Sequence, residues 1–199
     1  MKLFLCALGI LALTSTAFAE EVTRKEGDKS LNFSLSRTEL QQYKYGFGGK
    51  YWLSPDTAFS GSLDLSDDEQ SSSATLDGSS STMNSTYYAL SLALEKHFQT
   101  SSRLSPYIGG ELKYSRSQSI YDTDYTTGSY NNETLAKQYG AGLLAGAEYA
   151  LNKNISLAGE YSYGFSYRVS KYYSTGSYQT TRLRGFDLSV GRLTLLLYF

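Results

Sequence analysis

The feature that most constrains this chain is an alternation of apolar and polar residues at every second position, repeated in segments long enough to cross a bilayer as strands. Over residues 154–167, Ile155, Leu157, Tyr161, Tyr163, Phe165 and Tyr167 share one face, while Ser156, Ala158, Glu160, Ser162 and Ser166 share the other. Successive side chains point to opposite sides only in an extended strand, so this segment is a strand with one lipid-like face and one small, polar face. In residues 85–98, Tyr88, Leu90, Leu92, Leu94 and Phe98 oppose Ala89, Ser91, Ala93, Glu95 and His97. In 106–117, Ile108, Leu112 and Tyr114 alternate with Gly109, Glu111, Lys113 and Ser115. In 139–151, Leu143, Ala145, Ala147 and Tyr149 oppose Gly140, Gly142, Gly146 and Glu148.

Looser versions complete the set. Leu31, Phe33 and Leu35 begin a first strand; Tyr43, Tyr45, Phe47, Tyr51 and Leu53 make another; Phe59, Leu63 and Leu65 alternate with Ser60, Ser62 and Asp64. The last stretch, 181–199, runs in two registers, first Phe186, Leu188 and Val190, then Leu193, Leu195, Leu197 and Phe199. The switch near Gly191-Arg192 predicts a bulge or an outer half that stands clear of the membrane. Eight such segments, each reaching the roughly 9–11 tilted residues a spanning strand needs, predict an eight-stranded antiparallel transmembrane β-barrel over residues 30–199.

Connection lengths supply the orientation. Those at Ser54-Pro55-Asp56, 99–103 and Asn152-Lys153-Asn154 are short, whereas 67–84, 118–138 and 168–180 are long and rich in Ser, Thr, Tyr, Gly, Asn and Asp. Short turns alternating with long loops predict periplasmic turns and extracellular loops. The first outer connection, 37–41, is short and departs from this pattern. Alternation alone also suits a soluble lipocalin-like barrel, in which the faces are exchanged. Two aromatic belts argue for lipid. Tyr51, Trp52, Phe59, Phe98, Tyr149 and Tyr198 lie toward the short turns, and Tyr43, Tyr45, Tyr87, Tyr88, Tyr114, Tyr139, Phe165 and Tyr167 toward the long loops.

The N-terminus fits export. Lys2, an apolar run over 3–13 and Ala17-Phe18-Ala19 form a signal peptide over residues 1–19, leaving 20–29 as a short periplasmic segment. Cys6, the only cysteine, leaves with it, so no disulfide or thiolate metal site is expected. Loss of Lys2 leaves 17 cations against 19 carboxylates, a net charge of −2, which offers nucleic acid no bulk attraction. A mean hydropathy of −0.34 excludes a helical membrane protein but not a barrel, whose strands are apolar on one side only.

By strand parity Lys44, Lys50, Lys113 and Arg192 face the same interior as Glu95, Glu111, Glu148 and Glu160. An eight-stranded interior is just wide enough to be filled by side chains, so these eight charges are expected to pair into a plug, not to line a diffusion pore. Read instead as acid and base groups, the carboxylates would be catalytic candidates. The single histidine, His97, is followed by Phe98-Gln99, so the His-x-Ser of lipid-deacylating barrels is absent. No catalytic residue, cofactor site or metal site is expected.

The run Leu193-Thr194-Leu195-Leu196-Leu197-Tyr198-Phe199 resembles the assembly signal on the last strand of bacterial outer-membrane barrels, with Leu193, Leu195, Leu197 and Phe199 on one face. Pro106-Tyr107-Ile108-Gly109-Gly110-Glu111-Leu112, Gly146-Ala147-Glu148-Tyr149, Ile155-Ser156-Leu157 and Glu160-Tyr161-Ser162-Tyr163 are similar to the corresponding strands of the outer-membrane β-barrel domain family, which includes the opacity proteins and the membrane domain of outer membrane protein A. One departure is Leu197, where many members have Tyr. The resemblance implies a non-catalytic outer-membrane barrel, structural or surface-binding in the manner of an adhesin; a small-pore porin and a lipid-modifying enzyme are the alternatives. The implied partners are outer-membrane lipid and lipopolysaccharide, the barrel-assembly machinery with periplasmic chaperones, and a host or surface ligand at the outer loops.

If the terminal aromatic serves recognition, deleting Phe199 leaves folding in detergent nearly normal but causes poor assembly and periplasmic degradation in cells. Equal assembly of truncated and full-length chains in vivo would refute this.

Overall fold

The computed structural model describes residues 22–37, 43–73, 80–98, 103–125, 128–174, 177–188 and 191–199. The expected signal peptide over 1–19 and its cleavage site lie outside the described residues. The chain forms β1 (Lys29–Arg37), β2 (Tyr43–Ser54), β3 (Thr57–Ser73), β4 (Ser80–His97), β5 (Leu104–Tyr125), β6 (Gly128–Ala150), β7 (Ile155–Ser174), β8 (Ser177–Leu188) and β9 (Arg192–Tyr198). Each strand pairs antiparallel with its predecessor from β1 to β7, and β9 closes the ring by pairing with both β7 and β1. No described helix is long and apolar enough to cross a membrane; the spanning elements are strands.

The register switch foreseen near Gly191 is where the last strand divides. Below it Arg192 pairs with Glu160 of β7; above it Leu188 pairs with Tyr163, and the ladder has slipped by one residue. An extra residue on one strand bends it and re-aims its side chains, which is how one sequence presents two alternations. The ring is therefore closed by eight strands, β1–β7 and β9, in its lower half, and above that level β8 continues the sheet along β7, with no pairing to β1 among the described residues.

The alternating faces sort as lipid and lumen require. Leu31, Phe33, Phe47, Leu53, Leu94, Ile108, Leu112 and Leu143 stand 46–73% exposed on the outside. Lys50, Glu95, Glu148, Asp64 and His97 are 3–5% exposed inside. A soluble barrel shows the reverse, so water is not the solvent for this outer surface. From Tyr45 to Leu53 the apolar stripe of β2 runs about 26 Å along the strand at ~3.3 Å per residue, which at a tilt of about 40° rises about 20 Å, most of the height of a membrane band of about 25 Å.

Register also assembles part of the outer aromatic belt. Tyr114 is level with Tyr139 and Tyr139 with Tyr167, and the rings of Tyr88, Tyr114 and Tyr139 follow one another at 6.4 and 5.2 Å between centroids. Three of the expected belt aromatics are not there. Trp52, Tyr198 and Tyr87 share the parity of Lys50, Arg192 and Glu95, and that parity turns them into the lumen, where Trp52 is 2% and Tyr198 7% exposed. The side chain of Tyr43 lies outside the described residues.

The three long outer connections are not loops for most of their length. β3 and β4 stay paired out to Ser73 and Ser80, β5 and β6 to Tyr125 and Gly128, and β7 and β8 to Ser174 and Ser177. Beyond the lipid neither face needs to be apolar, so the alternation fades while the backbone ladder continues. At the opposite end the β2–β3 turn is fixed by Asp56, whose carboxylate accepts from Lys96 and from the hydroxyls of Ser54 and Thr57 at 2.8 and 2.9 Å. The Lys96 bond, aided by those two, holds the Asp56 carboxyl well below the usual carboxylate range.

Because β9 has a hydrogen-bonded neighbour on each side, Leu195→Pro must break a ladder bond in the closing strand. The variant is expected to lose the compact, heat-modifiable band on unheated gels, whereas Leu195→Val keeps it.

Candidate functional site

The interior is built in storeys, and the strand register sets which charges share a level. In the lowest storey Lys50 of β2 lies between two carboxylates, with Nζ 2.8 Å from Glu95 Oε2 and 3.2 Å from Glu148 Oε2. All three side chains are at most 4% exposed. Their remaining hydrogen-bonding capacity is met. Glu95 accepts from Ser60 at 2.5 Å and approaches His97 Nε2 at 3.1 Å; Glu148 accepts from the Tyr198 hydroxyl at 2.8 Å. A buried ion pair is tolerable only with this degree of satisfaction. Trp52 donates to Tyr198 at 3.4 Å, and the His97 ring is held between Trp52 and Tyr107 at 4.5 and 4.8 Å between centroids.

This storey is sealed from below by Arg24, which precedes the first strand. Gly27 adopts φ 89°, a conformation that favours glycine, and its N–H donates to the Trp52 carbonyl at 2.9 Å. The reversal tucks Arg24 under the barrel. There its guanidinium lies 3.3 Å from the Tyr198 ring centroid, donates to Ser156 Oγ at 2.8 Å and to the Lys153 carbonyl at 3.0 Å, and stands 3.5 Å from Glu148.

The second storey is centred on Arg192 at the start of β9. It bridges Asp64 at 3.2 Å and Glu160 at 3.1 Å, and Tyr107 donates to the other oxygen of Glu160 at 2.8 Å. Two glycines make room for these side chains. A Cβ on Gly46 would collide with Ser34 and Asp64, and one on Gly146 would lie 2.6 Å from the Tyr107 ring and hydroxyl. Between the storeys only about 40 Å³ is empty, space for a water or two. Above Arg192 the lumen widens into a vestibule of about 1050 Å³.

The structure thus divides the eight charges expected to act together. Lys50, Glu95 and Glu148 form one cluster; Arg192 and Glu160 belong to a second, whose other carboxylate, Asp64, was not expected. Glu111, Lys113 and Lys44 line the vestibule, and among the described residues none of them forms an ion pair. Parity places Asp64 on the inner face as firmly as Glu160, so it was available from the sequence. Arg24 was not, because no strand periodicity covers it.

One arrangement has the form of a catalytic relay. Ser105 Oγ lies 3.0 Å from His97 Nδ1, and His97 Nε2 lies 3.1 Å from Glu95, the order serine, imidazole, carboxylate. Its carboxylate is already shared with Lys50 and Ser60, and its imidazole is packed between two rings. His97 and Ser105 also border a cavity of about 140 Å³ at the lower end of the barrel, lined as well by Arg24 and Glu148. Of the C-terminal residues, Leu193 and Leu195 face outward at 43 and 36% exposure, Leu197 is half-buried, and Phe199 is exposed at 76% with its N–H donating to the Lys29 carbonyl.

Comparison with known proteins accords with this geometry. Residues 4–192 match the outer membrane protein beta-barrel domain family. A major outer membrane protein from Thermus thermophilus is similar over 87% of this chain and 99% of its own, at 14% identity and a TM-score of 0.59, a likeness of fold. Acinetobacter baumannii CarO2 (11% identity, 88% of this chain and 100% of its own, TM-score 0.48) and Neisserial surface protein A (16%, 86% and 95%, TM-score 0.44) are similar at lower TM-scores. No curated protein sequence matches the chain.

Lys50→Met would strand Glu95 and Glu148 without their shared cation. The expected loss is on the order of 3–5 kcal/mol, as for a buried pair broken from one side, seen as a lower temperature for converting the folded gel band. Lys113→Met, which removes no ion pair, should leave that temperature nearly unchanged; the reverse ranking would refute the division into clusters.

Proposed function

From the premise that this chain belongs to the outer membrane protein β-barrel domain family and resides in the outer membrane, we propose that it is a non-catalytic, non-conducting barrel that holds a rigid binding surface outside the cell. The observation that carries this reading is the contrast between the two ends of the molecule. The lower lumen is filled by the Lys50 and Arg192 clusters together with Trp52, Tyr107, Leu144 and Leu196, all four of them at most 3% exposed. The outer end extends three paired hairpins past the lipid band. Exposed Tyr121, Tyr172, Tyr173 and Tyr178 stand on these hairpins among Ser, Thr and Asn, a combination of rigid aromatic area and adaptable hydrogen bonding suited to recognition. Loops that stay hydrogen-bonded as strands lose less entropy on binding than free ones. The mature chain is then residues 20–199, with Arg24 of the 20–29 segment acting as the lower seal, and Leu193, Leu195, Leu197 and Phe199 serve assembly.

An enzyme is the second reading, favoured specifically by the Ser105–His97–Glu95 geometry. Two measurements separate them. In planar bilayers the protein should give no conductance above background. Cells expressing wild-type protein and His97→Ala should have identical lipid A and phospholipid profiles. Sustained single-channel currents would establish a pore, and a wild-type lipid modification abolished by His97→Ala would establish the enzyme. Replacing Tyr172, Tyr173 and Tyr178 by Ser should reduce adhesion of whole cells to a binding surface without changing the amount of folded barrel.

A further inference from the structure

The charges of the vestibule above Arg192 do not balance. Asp64 and Glu160 on its floor are both engaged by Arg192. The lining as a whole carries five cations, Lys44, Lys113, Arg168, Arg184 and Arg192, against three carboxylates, Asp64, Glu111 and Glu160. Two of the cations above Arg192, Lys44 and Arg168, have neutral close partners. Lys44 Nζ lies 3.4 Å over the Tyr87 ring, and Arg168 donates from Nε and Nη2 to Gln138 Oε1 at 3.1 and 2.8 Å. Lys113 forms no ion pair among the described residues, and Lys44 is within electrostatic range of three cations, Lys113, Arg168 and Arg192, and of one carboxylate, Asp64. Like charges gathered in a cavity with protein walls repel one another with less screening than on an open surface, and the same geometry focuses their field on an entering anion. The wall between them is hydroxylated, including Ser85, Ser115 and Ser119.

We propose that the vestibule is a binding site for an oxyanion carried on a hydroxylated scaffold, a phosphorylated or acidic saccharide, with Lys44, Lys113 and Arg168 as its cationic contacts. Phosphate or carboxylate oxygens can accept from the Arg168 guanidinium and the two ammonium groups, and ring hydroxyls can exchange hydrogen bonds with the serines. At about 1050 Å³ the space admits a sugar-sized solute with its water. Because the plug closes the lumen below, the ligand enters and leaves from the outer face. Such an oxyanion is available from two sources, a soluble sugar phosphate or the phosphorylated sugars of lipopolysaccharide in the same leaflet.

The test is titration calorimetry on protein purified from outer membranes in a non-ionic polyoxyethylene detergent, with glucose 6-phosphate, glucose and rough lipopolysaccharide as probes. Saturable binding of an anionic probe, absent with glucose, is expected, and Lys113→Met/Arg168→Gln should weaken it by about tenfold or more. Binding by glucose 6-phosphate assigns the site to soluble solutes, and binding by lipopolysaccharide alone assigns it to the lipid; either result, weakened in the double variant, supports the site. Should the double variant not fold, Lys44→Met alone on β2 gives the same reading. No binding by either anionic probe, or binding equally strong in folded variants, overturns the proposal.

Discussion

Everything in this molecule depends on the requirement that no backbone N–H or C=O be left unpaired against lipid. A sheet meets that requirement only by closing on itself, and here closure rests on β9, a seven-residue strand paired along one edge with β1 and along the other with β7. With eight strands around the ring, the interior is too narrow for bulk water in its lower half. Desolvation then dictates the chemistry of the lumen. A charge placed there needs an opposite charge and further hydrogen bonds at the same height, which is the condition Lys50 and Arg192 each satisfy with two carboxylates.

Much of this was legible in the sequence because a strand writes its two environments on alternate residues. The lipid face of β4 and β7, the inward carboxylates of Glu95, Glu148 and Glu160, and the register break before Arg192 all follow from parity. Height does not. Lys50 and Lys113 share an inward parity, yet one lies beside two buried carboxylates and the other in a wide cavity, because the stagger of each strand against its neighbour sets the level. Trp52 and Tyr198 show the opposite error. Their aromatic character suggested an interface, while their parity with Lys50 and Arg192 already placed them inside.

The outer hairpins look like loops in the sequence for a physical reason. Alternation is a signature of two different solvents, and above the bilayer both faces meet water. The Ser- and Thr-rich arms of β3 and β4 carry no apolar stripe, although their backbones remain paired. Arg24 escaped detection on similar grounds: a seal contributed by a segment before the first strand leaves no periodic trace, and only the reversal at Gly27 brings it under Tyr198.

The hairpin ladders have one more consequence, which concerns how such a protein can change over generations. From Leu104↔Tyr149 to Tyr125↔Gly128 the pairing of β5 and β6 continues in a single unbroken register. Inserting or deleting two residues in each arm near the tip would raise or lower the hairpin by one repeat without turning any lower side chain from lipid to lumen. The surface offered to the outside world is thus free to drift in height and composition, while the short closing strand and the two charge storeys beneath it remain untouched.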